Sequence, residues 1–132
     1  MDRNMSILIV GGYQTTFPMI KDLLNQLGLN NVDKESDGAA ALKKINETPY
    51  DLIISEWNIE SMTGIDLLKQ VRAAENKVLF MIIAEHFLAE DVLAAKEAGV
   101  DSLIVKPFNA GTFRDRLSKI LGVATLKEFR TI

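Results

Sequence analysis

The sequence predicts an α/β fold in which a single doubly wound domain is built on a parallel sheet. Short, continuous runs of apolar residues indicate strands that are buried on both faces. Between these runs lie segments with apolar residues at helical spacing, so that five strands and five helices alternate along the chain. A length of 132 residues suits one domain with one ordinary core.

Apolar runs mark the strands and show where each one ends. They include Ile7 to Val10, Leu52 to Ser55 and Leu79 to Ile83. The carboxyl ends of parallel strands are where such folds bind ligands, so the residues that follow these runs are candidates for a site. In chain order these residues are Gly11-Gly12, Glu56-Trp57-Asn58, Ala84-Glu85 and, after a fourth run, Lys106-Pro107-Phe108.

Amphipathic patterns predict the helices, and capping residues predict their limits. The first helix begins near Thr15 or Thr16, and Asp37 caps the second. The expected helix ends are Gly28, Thr48, Gly99 and Gly122. The side chains expected to face the core are Phe17, Ile20, Leu23, Leu24, Leu27, Ala41, Leu42, Ile45, Ile65, Leu68, Val71, Val92, Ala95, Ala98, Phe113, Leu117, Ile120 and Leu121.

Composition restricts the possible functions. The net charge of -3 and the pI near 5.2 argue against nonspecific nucleic-acid binding, which requires a concentrated basic surface. The absence of cysteine excludes disulfides, thiolate metal sites and a cysteine nucleophile. No apolar stretch is long enough for a membrane span and the N-terminus lacks a signal-peptide core, so we expect a cytoplasmic protein without membrane or nucleic-acid partners.

Several ordered motifs, together with the strand ends above, resemble those of a response-regulator receiver domain of the CheY-like type. These motifs are Asp37-Gly38, Met62-Thr63-Gly64 and Ala98-Gly99-Val100. The resemblance implies a flavodoxin-like five-stranded sheet of order 2-1-3-4-5, with the ligand crevice at the ends of strands 1 and 3. We expect a receiver-like domain over residues 1–121 and a C-terminal extension or the start of a linker over residues 122–132.

The resemblance also implies a crevice that has lost most of its acids. In the receiver family an aspartate after strand 3 accepts a phosphoryl group, and two acids after strand 1 help to hold Mg²⁺. The matching positions are Glu56 for the phosphoacceptor and Gly11 and Gly12 for the two acids. A glycine offers a metal only its backbone carbonyl. We therefore expect a degenerate pocket with no metal, no cofactor and no catalytic residue, in a protein that is not an enzyme.

The residues that couple phosphorylation to a change of shape are replaced as well. Ala84 matches a threonine or serine whose hydroxyl closes on the phosphoryl group, and Leu103 matches a position that is often tyrosine or phenylalanine. A shift of one residue would place Ile83 there instead of Ala84, and neither can donate a hydrogen bond. Lys106 is retained, in a Lys-Pro step where the family commonly has a cis peptide.

Three interpretations of the pocket stay open. Glu56 forms an ordinary ion pair with Lys106, or it imitates or still accepts a phosphoryl group, or the Gly11-Gly12 loop binds a small anion or nucleotide at a helix N-terminus. We favour the ion pair, because a carboxylate carries one charge where a phosphoryl group carries about two.

Binding of a protein partner is the function that the sequence favours. The resemblance implies an output face formed by helix 4, strand 5 and helix 5, where an apolar centre has a basic border. Its residues are Leu88, Val92, Val100, Leu103, Arg116 and Lys119; the alternative is that they only pack and solvate the domain. We predict a phosphorylation-independent pseudo-receiver that binds a signalling kinase, a motor or an effector segment, in two-component, chemotaxis or motility signalling. The same face is a candidate homodimer interface.

Overall fold

Five parallel strands form the sheet that the sequence predicts. The computed structural model describes residues 5–12 and 16–122. Its strands are β1 (Ile7–Val10), β2 (Val32–Glu35), β3 (Leu52–Glu56), β4 (Asn58–Ile59), β5 (Met62–Thr63), β6 (Leu79–Ala84) and β7 (Ser102–Val105). The main sheet has the order β2-β1-β3-β6-β7, and β4 and β5 form a separate antiparallel hairpin. The predicted order 2-1-3-4-5 is thus confirmed for the main sheet.

Helices cover both faces of the sheet. They are α1 (Thr16–Gln26), α2 (Gly38–Glu47), α3 (Gly64–Ala73), α4 (Ala89–Ala98) and α5 (Ala110–Leu121). Side chains alternate along each strand, so Ile7 and Ile9 pack in an apolar cluster with α1 and α5, whereas Leu8 and Val10 pack with α2 and α3. Within the described residues no helix has the length and apolar character needed to cross a membrane.

Most side chains expected to face the core do so. Ile20 and Leu24 of α1 and Phe113 and Leu117 of α5 are fully buried. A smaller group lies at the margins of the helix-sheet contacts and is only partly buried; it consists of Phe17, Leu23, Leu42, Val92, Ala98 and Ile120. In α4 Ala95 is the buried residue, so this helix packs on the rest of the domain through small side chains.

The predicted caps correspond to real hydrogen bonds. The Asp37 carboxylate accepts the backbone N–H of Ala40 at 2.8 Å, which confirms it as the cap of α2. The first helix ends at Gln26 rather than at Gly28, because its final turn tightens and Gly28 donates to the carbonyl of Asn25. Gly28 has a φ of 82°, a conformation that glycine adopts easily after a helix.

The C-terminal boundary is only partly within the described residues. Helix α5 ends at Leu121, and Gly122 follows it with a φ of 74°. The expected extension falls on residues 123–132, which lie outside the described residues, so the division at residue 121 stays a prediction.

The sequence analysis missed the β4–β5 hairpin, which lies between the end of β3 and the start of α3. Its strands have two residues each and show no apolar periodicity. It leads to Gly64, whose N–H donates to the carbonyl of Trp57 at 2.6 Å. A Cβ on Gly64 would lie 2.5 Å from the backbone oxygen of Glu56, so only glycine allows α3 to begin this close to the end of β3.

Arg72 at the end of α3 joins that helix to two loops. Its guanidinium donates to the carbonyls of Asn76 at 2.9 Å, Val78 at 2.7 Å and Gly99 at 2.9 Å, and it pairs with Asp101 at 3.2 Å. The planar fork of an arginine reaches several acceptors at once, which an ammonium group on a flexible chain does not. Arg72 therefore fixes the turns that precede β6 and β7.

We expect Arg72→Lys to lower the free energy of unfolding by about 1–2 kcal/mol, because most of these carbonyls lose their donor. Urea denaturation followed by circular dichroism measures the loss. The matched control is Arg114→Lys on the exposed surface of α5, which should change stability by less than about 0.5 kcal/mol. Equal losses in the two variants would show that the Arg72 contacts do not stabilise the fold.

Candidate functional site

The predicted pocket residues meet at the carboxyl ends of three strands. Glu56 is the last residue of β3, Gly11 and Gly12 follow β1, and Lys106 follows β7. Thr16, the first residue of α1, joins them. Because β1 and β3 are neighbours in a parallel sheet, their ends form the crevice at which folds of this type bind ligands.

Both oxygens of the Glu56 carboxylate accept hydrogen bonds. Oε2 accepts the backbone N–H of Gly12 at 2.9 Å. Oε1 accepts the hydroxyl of Thr16 at 2.5 Å and the ammonium of Lys106 at 2.9 Å. Lys106 Nζ also lies 3.0 Å from Thr16 Oγ1, which closes a triangle of three side chains. The expected ion pair between Glu56 and Lys106 is confirmed, and the Lys106–Pro107 peptide is cis, as the family resemblance implies.

Two opposing effects act on the pKa of Glu56. Partial burial raises the pKa, because it penalises the charged form. Hydrogen bonds from Thr16, Gly12 and Lys106, together with the positive charge of Lys106, favour the carboxylate and bring the pKa below its ordinary value of 4.5. The side chains of Lys106 and Glu56 keep 25% and 16% of their surface exposed, so the ion pair itself contributes on the order of 1 kcal/mol or less.

The two glycines differ in how closely Glu56 approaches them. A Cβ on Gly11 would lie 2.5 Å from Glu56 Oε2 and 2.8 Å from Glu56 Cγ, and the φ of Gly11 is 153°. A Cβ on Gly12 would lie 3.7 Å from the same Oε2 atom, which is an ordinary contact. The Glu56 carboxylate therefore occupies the space in which a side chain at position 11 would begin.

The pocket does not fit a resident Mg²⁺ ion. Magnesium prefers several oxygen ligands in octahedral geometry, and carboxylates are its usual protein ligands. Glu56 is the carboxylate at this position, and both of its oxygens already accept hydrogen bonds. Among residues 5–12 and 16–122 no group of three or more histidine, cysteine, aspartate or glutamate side chains is arranged to hold a metal.

The end of β6 places no hydroxyl beside Glu56. Ile83 is the register partner of Glu56 across the sheet, and Ala84 is the next residue. Both line a cleft of about 390 Å³ that runs from Glu56 to Asp91 at the start of α4. Whichever of the two matches the family's hydroxyl position, its side chain has no hydrogen to donate to a phosphoryl oxygen.

The structure brings together part of the predicted partner face. Val100, Leu103, Arg116 and Lys119 line one depression of about 500 Å³ between α4, β7 and α5. Leu103 is partly buried, and its carbonyl accepts a hydrogen bond from the Arg116 guanidinium. The remaining two predicted residues do not line this depression: Val92 is partly buried on α4, and Leu88 lies just before α4 with 54% of its surface exposed.

Thr16 is the site residue that the sequence analysis placed only as a helix start. It is buried, and its hydroxyl donates to Glu56. The available signal was a hydroxyl residue at the first turn of a helix that follows a candidate site loop. That signal did not distinguish Thr16 from Thr15, the other predicted helix start, which lies outside the described residues.

A doubly wound sheet with a carboxylate after its central strand and a lysine after its edge strand defines a receiver-type signalling domain. The family model described as the response regulator receiver domain matches residues 7–118. The chain is 41% identical over 123 residues to the chemotaxis protein CheY-3 of Vibrio cholerae, covering 91% of this chain and 94% of that protein. It is 38% identical over 119 residues to the chemotaxis protein CheY of Pseudomonas aeruginosa, covering 88% and 95%.

A solved structure agrees with these matches. The chemotaxis response regulator CheY4 of Vibrio cholerae has a TM-score of 0.80 and 27% identity, covering 89% of this chain and 98% of that one. The chain belongs to the response regulator receiver family, and it is a CheY-like domain of the kind used in two-component and chemotaxis signalling. Domains of this family are in general signalling modules that interact with protein partners rather than enzymes.

The depressed pKa of Glu56 predicts how its contribution to stability varies with pH. A carboxyl group whose pKa is lower in the folded state stabilises the fold above its unfolded pKa and loses this effect as the pH falls through the folded value. The free energy of unfolding of the wild type should therefore exceed that of Glu56→Gln most at neutral pH. The difference should narrow below about pH 4.5.

Urea denaturation at a series of pH values measures this difference, with Glu97→Gln on the exposed surface of α4 as the matched control. A difference between wild type and Glu56→Gln that widens on acidification would mean that Glu56 is not held as a carboxylate by its three donors.

Proposed function

We propose that this domain is a phosphorylation-independent pseudo-receiver that acts as a cytoplasmic protein-interaction module in bacterial two-component or chemotaxis-type signalling. The observation that carries the proposal is the hydrogen bonding of Glu56, whose oxygens accept from Gly12, Thr16 and Lys106. The similarity to CheY proteins of two bacteria supports the signalling context.

The chemistry of phosphorylation explains why this hydrogen bonding matters. A receiver carboxylate becomes an acyl phosphate when one of its oxygens attacks the phosphorus of a phosphodonor, such as acetyl phosphate. The bond between phosphorus and the donor breaks, acetate leaves, and a divalent cation neutralises the phosphoryl oxygens. In this domain both oxygens of Glu56 are engaged, and Gly11 and Gly12 supply no carboxylate for a cation. Lys106, which would otherwise help to neutralise an incoming phosphoryl group, is already paired with Glu56.

Two other functions make different demands on the same pocket. A residual phosphoreceiver requires Glu56 to leave its three donors before it reacts. A sensor of small anions or nucleotides at the Gly11-Gly12 loop requires the ligand to displace the Glu56 carboxylate from the Gly12 N–H. The pseudo-receiver requires neither rearrangement, and for this reason we favour it.

We expect Mg²⁺ and acetyl phosphate together to leave the protein unmodified. Intact-mass spectrometry should show no phosphoryl adduct, and the melting temperature should not respond to millimolar Mg²⁺. By contrast, Mg²⁺ present at 100 times the dissociation constant of a real site would add about 2.7 kcal/mol to the free energy of unfolding. An active CheY protein treated in parallel is the control for the reagent. A phosphorylated peptide containing Glu56 would favour the residual phosphoreceiver, and a saturable thermal shift with a nucleotide would favour the sensor.

The partner surface in this proposal is the α4–β7–α5 face, defined by the predicted residues Leu88, Val92, Val100, Leu103, Arg116 and Lys119. Its depression has the partly buried Leu103 and Val100 beside the exposed Arg116 and Lys119. Lys96 adds a third cation at the rim, and the acid that also lines it, Asp101, is paired with Arg72. An apolar centre with a basic border suits a short amphipathic segment that carries acids. A kinase, a motor or an effector segment of this chemistry is the proposed partner, and a homodimer through the same face is the alternative occupant.

We expect Leu103→Arg and Arg116→Glu each to weaken binding of the partner by about 1–3 kcal/mol. The first places a charge in the apolar centre, and the second reverses the sign of a charge at the border. The partner is first captured from the protein's own cells with the whole protein as bait. Titration of each variant with the captured partner then measures the change in binding free energy. The control is Met19→Arg, a comparable change at an exposed position of α1. Binding that survives both face variants and is lost with Glu56→Gln would place the partner at the crevice instead.

A further inference from the structure

We propose that Gly12, Thr16 and Lys106 form an oxyanion-binding cradle that Glu56 fills from within the chain, and that Gly11 is the residue that makes room for it. The ligand class of this cradle is a carboxylate or a similar small oxyanion. This inference goes beyond the proposed function, because it assigns a binding site and does not depend on which partner the domain has.

The three donors come from three separate segments. Gly12 offers a backbone N–H after β1, Thr16 offers a hydroxyl at the start of α1, and Lys106 offers an ammonium after β7. All three point at two oxygens of one planar group, at distances of 2.5 to 2.9 Å. Hydrogen bonds of this kind, in which the acceptor and one donor are charged, are stronger than bonds between neutral groups.

The backbone that carries each donor belongs to a different part of the fold. Gly12 lies two residues after β1, Thr16 begins α1, and the backbone N–H of Lys106 donates to the carbonyl of Ala84 at 2.8 Å. Lys106 Nζ also donates to Thr16 Oγ1 at 3.0 Å, a contact that does not involve Glu56. Removal of the Glu56 side chain should therefore leave these donors beside a cleft that Lys106 lines together with Glu85 and Asp91. The two acids oppose an incoming anion, so the expected binding is weak. A free carboxylate ion of small size, such as acetate, can then take the position of the missing group.

Gly11 is required because the Glu56 side chain lies against it, and not only because of the loop conformation. The nearest atoms to a Cβ at position 11 all belong to the Glu56 side chain: Oε2 at 2.5 Å, Cγ at 2.8 Å and Cδ at 2.9 Å. The φ of 153° adds strain for any other residue, but that strain is the same whichever residue stands at position 56. The loss of stability caused by a side chain at position 11 therefore has two parts. The steric part depends on residue 56 and the backbone part does not, so a change of residue 56 separates them.

The first experiment is chemical rescue of Glu56→Ala at neutral pH. The melting temperature of this variant should rise saturably with sodium acetate and exceed its value in sodium chloride of equal ionic strength, because acetate binds the folded state. The melting temperature of the wild type should be the same in acetate and in chloride. The double variant Glu56→Ala, Thr16→Val should lose most of the stabilisation by acetate. The proposal is wrong if acetate acts no differently from chloride on Glu56→Ala, or if it stabilises the wild type to the same extent.

The second experiment is a pair of double-mutant comparisons that need no ligand. Gly11→Ala should lower the melting temperature much more in the wild type than in Glu56→Ala, whereas Gly12→Ala should have the same effect in both. Glu56→Asp replaces Glu56→Ala if the latter fails to fold, because its side chain is one methylene shorter and keeps the charge. An equal loss from Gly11→Ala in both backgrounds would overturn the assigned role of Gly11.

Discussion

The carboxylate of Glu56 connects three segments that are distant in sequence. Its oxygens accept from Gly12 after β1, Thr16 of α1 and Lys106 after β7, so that the ends of two neighbouring strands and one edge strand share one acceptor group. The ion pair between Glu56 and Lys106 is partly exposed and contributes little to the free energy of unfolding. Its main effect is to hold the ends of these segments in one arrangement. The acceptor that these three segments share is a side chain of the protein itself.

The sequence predicted the fold well because a parallel sheet covered on both faces leaves few alternatives. The run Ile7–Val10 is entirely apolar and so are residues 52–54, and helical patterns lie between the strands. The β4–β5 hairpin escaped prediction because strands of two residues carry no periodic signal. Arg72 escaped as well, since nothing in its local sequence shows that its guanidinium reaches Gly99 and Asp101.

Four residues of the site could be identified from the sequence, but the role of Thr16 and the arrangement of the group could not. The positions of Gly11, Gly12, Glu56 and Lys106 follow from strand ends, and the ion pair follows from their charges. The contribution of Thr16 depends on its rotation about α1, and the close approach of Glu56 to Gly11 depends on the direction of one side chain. Likewise, Leu88 belongs to the predicted partner face by position, but it does not line the depression that contains Leu103. Such details require three-dimensional coordinates.

The close contact between Gly11 and Glu56 also constrains how this sequence can evolve. An acid at position 11 would require the Glu56 side chain to move, because its Cβ would lie 2.5 Å from Glu56 Oε2, and the φ of 153° would strain it in any case. Position 12 has no such conflict, since a Cβ there would lie 3.7 Å from the same oxygen. Of the two glycines, Gly12 is therefore the one at which an acid can be introduced beside Glu56 without moving it.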